Sequence, residues 1–228
     1  MISSQRQFGP YTLTYAGRAN SSGSVSSLSG SFNLGTEYDD RLVFIGITRS
    51  SPASLSATSV TVGGKSGTLI GGSNLTGLTE WWYVASDTGT TSVTIQTNFS
   101  DSYNSCFVVY VLGGGALGGT TPTTNVFNGY TNNSNNTYVY PSAANTNDIF
   151  MALAIKANGG SSSVGNFISN MSPLTNNAVG EGVGTDNDGS GSCQIGPITT
   201  TASPYIRATG FDSSKPLQVS AIRIQKKP

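Results

Sequence analysis

Arg41-Leu42-Val43-Phe44-Ile45-Gly46-Ile47-Thr48 (RLVFIGIT) is apolar on both sides of an extended chain. Successive side chains of a strand point to opposite faces of its sheet, so a strand with one wet face alternates apolar with polar. This run does not alternate. It predicts a central strand covered on two sides. Ser105–Leu112 (SCFVVYVL) reads the same way and is expected to be the densest strand of the core. Asp148–Lys156 (DIFMALAIK) is a third core strand, and Leu217–Gln225 (LQVSAIRIQ) a closing one expected to pair beside an early strand.

Between these runs the strands are short and one-sided. In Ser92–Thr97, Val93 and Ile95 share one face while Thr94 and Gln96 share the other. Ser59–Val62 and Lys65–Ile70 flank Gly63-Gly64, a hairpin signal because glycine accepts the positive φ of a type I′ turn. No segment holds a 3.6-residue apolar period, so no long helix is expected. No internal repeat of fixed period is visible. About twelve short strands separated by turn residues predict an all-β fold, an antiparallel jelly-roll-like β-sandwich. The expected organisation is a single domain over residues 1–228, with a flexible arm at 1–10 and an irregular seam at 113–136.

Composition narrows the chemistry. The 228 residues include no histidine, two cysteines and 10% charged residues, while Gly, Ser, Thr and Asn fill roughly half the chain. Few groups can move protons near neutral pH or hold a transition metal. Eleven basic and eleven acidic residues give a net charge of zero with no basic stripe, so nucleic acid is not an expected partner. No apolar stretch approaches the roughly 20 residues of a membrane helix, and the first seven residues carry no apolar segment of a secretory signal. A soluble protein made without export is expected, with no membrane partner.

Paired carboxylates are the one enzymatic route left open. The candidates are Asp39, Asp40, Glu80, Asp101, Asp148, Glu181, Asp186 and Asp188. They form no run on one strand face, so no catalytic residue is assigned. Thr185–Gly189 (TDNDG) resembles the start of a calcium loop but lacks its closing Glu, and reads as a solvated turn. No metal and no cofactor are expected. Cys106 reads as a buried thiol and Cys193 as an incidental one in a Gly/Ser loop; a disulfide would need that loop to fold back. The aromatic run Trp81-Trp82-Tyr83 should place one Trp in the core and the other outward. Trp82, Tyr130, Tyr138 and Tyr140 are the candidates for an interface or glycan contact; packing against loops of the same chain is the other reading.

The stretch Asp39–Gly115 contains, in order, DDRLVFIGIT, SVTVGGKSGTLI, LTEWWYVASDTGTTSVTIQTNFS and SCFVVYVLGGG. This series resembles small β-sandwich structural proteins of tailed bacteriophage virions, either capsid decoration (cement) proteins or tail-associated ones. DIFMALAIK and PLQVSAIRIQ resemble the later core strands of that family more loosely. The resemblance implies a virion protein assembled in the host cytoplasm and a homo-oligomer, often a trimer. It also implies contact with the major capsid protein or with tail proteins, and no catalytic residues. Two functions are thus expected in turn: decoration of the head exterior, and a tail or tail-fibre adhesin for host glycan.

Overall fold

The computed structural model describes residues 12–35, 41–49, 57–72, 79–85, 92–113, 122–131, 136–141, 144–156, 166–183, 188–198, 203–209 and 216–225. They are strands and turns throughout, every strand pairing is antiparallel, and no helix among them is long and apolar enough to cross a membrane. The expected arm at 1–10 lies outside them.

The first half holds β1 (Thr12–Asn20), β2 (Val25–Phe32), β3 (Leu42–Arg49), β4 (Ala57–Val62), β5 (Lys65–Ser66), β6 (Thr68–Gly72), β7 (Thr79–Ala85), β8 (Val93–Tyr103) and β9 (Ser105–Gly113). Two sheets form from it, in the orders β1-β9-β3-β7-β6 and β2-β8-β4-β5. The chain changes sheet between β1, β2, β3 and β4 and again between β7, β8 and β9, which is the interleaving of a jelly roll. The Gly63-Gly64 hairpin forms as expected, with φ of +56° and +81° and Val62 paired to Lys65.

The second half holds β10 (Thr123–Thr131), β11 (Asn136–Val139), β12 (Ile149–Lys156), β13 (Asn166–Ser169), β14 (Leu174–Val183), β15 (Asp188–Ile195), β16 (Ile206–Thr209) and β17 (Leu217–Gln225). Its sheets are β10-β17-β12-β15-β14 and β11-β16-β13. Substituting β10 for β1, β11 for β2, β12 for β3, β13 for β4, β14 for β6 and so on to β17 for β9 reproduces the first half's order apart from β5, which has no counterpart among the described residues. The topology therefore repeats where the sequence shows no repeat.

The four sheets stack in layers. Val43, Ile45, Trp82, Phe107 and Val109 of the first inner sheet pack against Phe32, Val60 and Ile95 of its outer sheet. Phe150, Cys193, Leu217 and Val219 of the second inner sheet pack against Val139, Phe167 and Ile206 of the other outer sheet. The two inner sheets pack on each other through Leu42, Phe44, Trp81, Val108 and Tyr110 against Ile149, Met151, Leu153 and Ile222. This third core explains why β3, β9 and β12 are apolar on both faces and why β17 is buried on both. A fully buried Leu, Ile or Phe contributes about 1.5–3 kcal/mol, so these strands dominate the stability. β3 lies on β12, β7 on β17, β6 on β10 and β1 on β14. β3 on β12, and β6 on β10 with β1 on β14, exchange equivalent strands as a two-fold contact does, whereas β7 on β17 breaks that symmetry.

Several expectations are corrected. Within the stretch 113–136, residues 123–131 are not an irregular seam but strand β10, in unbroken register with β17. Val126, Phe127 and Tyr130 are the apolar residues there, because an edge strand needs few buried side chains. β17 pairs with β10 and β12 rather than with an early strand. Trp82 does not face outward: it is 8% exposed, since both faces of its sheet are covered. Cys193 is not in a loop but buried in β15, and both cysteines are free. Cys193 belongs to the second half's core, whereas Cys106 sits beside Thr48 and Ser190.

Candidate functional site

Alternation along β11 builds the site. The hydroxyl of Thr137 donates to the Leu217 carbonyl and Val139 enters the core, so Tyr138 and Tyr140 project from the outer face. Tyr138 is 39% and Tyr140 68% exposed. Their rings stack 5.8 Å apart at 5°. Arg207 of β16 pairs with Tyr138 across the ladder, and Ile168 of β13 pairs with Arg207 from the other side. The Arg207 guanidinium lies 5.7 Å from the Tyr138 ring centre, and its Nη1 donates to the Tyr138 hydroxyl at 3.1 Å. Hydrogen bonding to Tyr138 also raises the Arg207 pKa above its ordinary value.

Tyr205 closes the cluster, its ring 6.1 Å from Tyr138 and tilted by 58°. It is pinned from below. Asn170 accepts from the Tyr205 amide at 3.0 Å and donates to the Ser203 carbonyl at 3.2 Å, and the Ser169 hydroxyl donates to the Tyr205 carbonyl at 2.6 Å. Ser203 takes a φ of +51°, a turn conformation that delivers the chain into β16. These bonds fix the backbone from which the Tyr205 ring enters the cluster.

The large apolar side chains exposed among the described residues are Leu69, Tyr138, Tyr140 and Ile168, and three of these four share this face. The equivalent outer face of the first half differs. There Gln96 donates to Ser27 and to Asn98, and Asn98 donates to Ser59, making an uncharged, self-satisfied lattice without rings. Of the residues singled out from sequence, Tyr138 and Tyr140 come together. Half-buried Tyr130 shares the parity of Val126, which packs toward the inter-half core, so it lies on another side of the molecule. Trp82 is internal. Arg207, Tyr205 and Ile168 were missed because each is ordinary strand composition; only the ladder register puts them beside Tyr138.

The candidate carboxylates among the described residues, Glu80, Asp101 and Asp148, have structural partners. Glu80 accepts from the Ala57 amide at 2.8 Å and lies 3.6 Å from Arg49, both charges buried. Asp148 accepts from Arg223 at 2.7 Å and from the Asn145 amide at 2.8 Å, closing the turn that launches β12. Asp101 accepts from the Ser102 amide on the surface. Asp39, Asp40 and Asp186 lie outside the described residues, as do the side chains of Glu181 and Asp188. A cleft of about 440 Å³ opens between β1, the end of β2 and β9, lined by Thr12, Thr14, Tyr15, Asn33, Leu34 and Val111.

No family model matches the sequence, and no curated protein matches it. Among solved structures, the major capsid protein P2 from Bacteriophage PM2 is similar at 9% identity and a TM-score of 0.30, over 96% of this chain and 98% of that one. BuGH86 in complex with neoagarooctaose is similar at 10% identity and a TM-score of 0.30, over 93% of this chain and 34% of that one. Scores at this level carry no argument about activity.

Proposed function

We propose that this protein is a non-catalytic structural component of a bacteriophage virion, a decoration or cement protein on the head exterior. The observation that carries the reading is the gathering of Tyr138, Tyr140 and Ile168, with Arg207, on one outer face, where the equivalent face of the first half carries a Gln, Asn and Ser lattice. Aromatic and Arg side chains are the usual anchors of a protein interface. Docking this face on a shell lattice would bury them and stabilise the particle by mass action. The virion resemblance of Asp39–Gly115 supplies the partner class, the major capsid protein, and the homo-oligomer. Quantifying the protein in purified virions tests this. Copy numbers matching the shell lattice support decoration, a few copies place the protein on the tail, and none removes the reading.

The tail-adhesin reading rests on the same face, because a stacked Tyr pair beside an amide and a guanidinium is a platform for a sugar ring. It predicts glycan-array binding that Tyr140→Ala abolishes. Trp82→Ala would test packing instead, since that ring lies in a core. Cleavage of a saccharide at any pH would overturn the non-catalytic reading.

A further inference from the structure

We propose that the outer edge of β10 pairs with β10 of a second copy of this chain, joining two inner sheets into one across a two-fold axis. An unpaired strand edge is a template for another strand, and proteins blunt such edges with bulges, charge or brevity. Eight strands end the four sheets. β1 and β6 are bulged at Gly17 and Gly71, β2 is irregular between Val25 and Ser27, and β14 breaks register twice. β5 has two residues, and β11 and β13 have four each. β10 alone carries none of these devices among the described residues. Its nine residues, TTNVFNGYT, run in continuous register with β17 and contain no charge and no proline.

A second copy fits this edge better than a charged partner strand would. The strand is neutral, so pairing with itself meets no like-charge penalty. Val126 and Phe127, at its middle, are only partly buried, one against the inter-half core and the other against the second half's core. β6, which lies over β10, leaves Leu69 44% exposed. An antiparallel pair centred on Phe127 sets Val126 opposite Asn128 and Thr124 opposite Tyr130, and covers the incompletely buried apolar atoms of both copies. Closed two-fold dimers are also the commonest homo-oligomers.

The inference takes up the self-association in the proposed function, but its test uses the isolated full chain. Failure here therefore leaves the virion reading standing, and the reverse holds too. Light scattering and sedimentation should give a dimer. The Asn128 side chain donates to the Gly72 carbonyl of β6 at 3.2 Å, so Asn128→Ala, which loses that bond alone, should still dimerise. Asn128→Lys also sets two cations about 8 Å apart across the axis and should weaken dimerisation roughly tenfold or more, with partial recovery at high salt. Asn166→Lys, on the short edge strand β13, should leave the dimer intact. Amide exchange over residues 123–131 should speed up on dilution of the wild-type protein, a readout that needs no variant. A wild-type monomer or trimer overturns the pairing. So does a folded Asn128→Lys protein that dimerises as tightly as wild type, or exchange at β10 that ignores concentration.

Discussion

Gly46 sits where the two inner sheets meet. A Cβ there would fall 2.7 Å from Leu153 Cδ1 and 2.8 Å from Trp81 Cζ3, so the approach of the sheets depends on a hydrogen at this position. Gly46→Ala should destabilise by about 1–3 kcal/mol through overpacking, read as a lower urea midpoint. Combined with Leu153→Ala the two losses should be less than additive, because the second change vacates the clashing volume. Chemistry at the buried thiols is equally local. Burial pushes the Cys106 thiol up to about 11 from the ordinary 9, and drives Cys193 and the Tyr110 hydroxyl upward too. The folded thiol keeps its proton after the unfolded one has lost its own. Stability should therefore be fully present below pH 9 and fall as pH rises toward 11, by at most about 1.4 kcal/mol per pH unit per group. Urea midpoints between pH 8 and pH 10.5 check the sign, and Cys106→Ala should reduce the slope. A flat profile would contradict the burial of these groups.

Among the elements, the β4–β5 hairpin was legible in advance. Gly63-Gly64 adopts the positive φ angles that its spacing required, and a Cβ at Gly64 would meet nothing within 4 Å. Gly64→Asn should be nearly neutral in thermal unfolding, since Asn tolerates this conformation. Gly64→Val, which does not, should cost about 1–3 kcal/mol. Equal melting temperatures for the two variants would count against the turn. The edge strands were less legible. β10 and β14 carry few apolar residues, and β14 bends through two register shifts. A strand of that kind is recognised by its hydrogen-bonded neighbour, which a linear pattern does not name.

For the whole molecule, the inter-half core joins two sandwiches of repeated topology. Trp81 and Tyr110 of one half pack with Met151 and Leu153 of the other, Asn177 donates to the Tyr110 hydroxyl, and Gln218 donates to Thr79. With so much apolar surface shared, we expect the halves to unfold as one cooperative unit. Tryptophan fluorescence reports the first half and the inter-half core. Thiol labelling of Cys193, in a Cys106→Ala background, reports the second. The two urea transitions should coincide, and separated midpoints would show that the halves are independent domains.

Sequence alone determined the fold class and the core strands. Alternation along Val93–Thr97, its absence in Leu42–Ile47 and the glycine pair at 63–64 are local signals, set by the two-residue period of a strand and by backbone sterics. It also singled out Tyr138 and Tyr140. The tertiary structure alone decided that Trp82 is internal, that the halves repeat, and that Arg207, Tyr205 and Ile168 join the tyrosines. These facts depend on which sheet covers which, and on pairings such as Asn136 with Thr209, 73 positions away. Side-chain parity fixes which residues share a face of one strand, but burial of that face is a property of the layer stacked upon it.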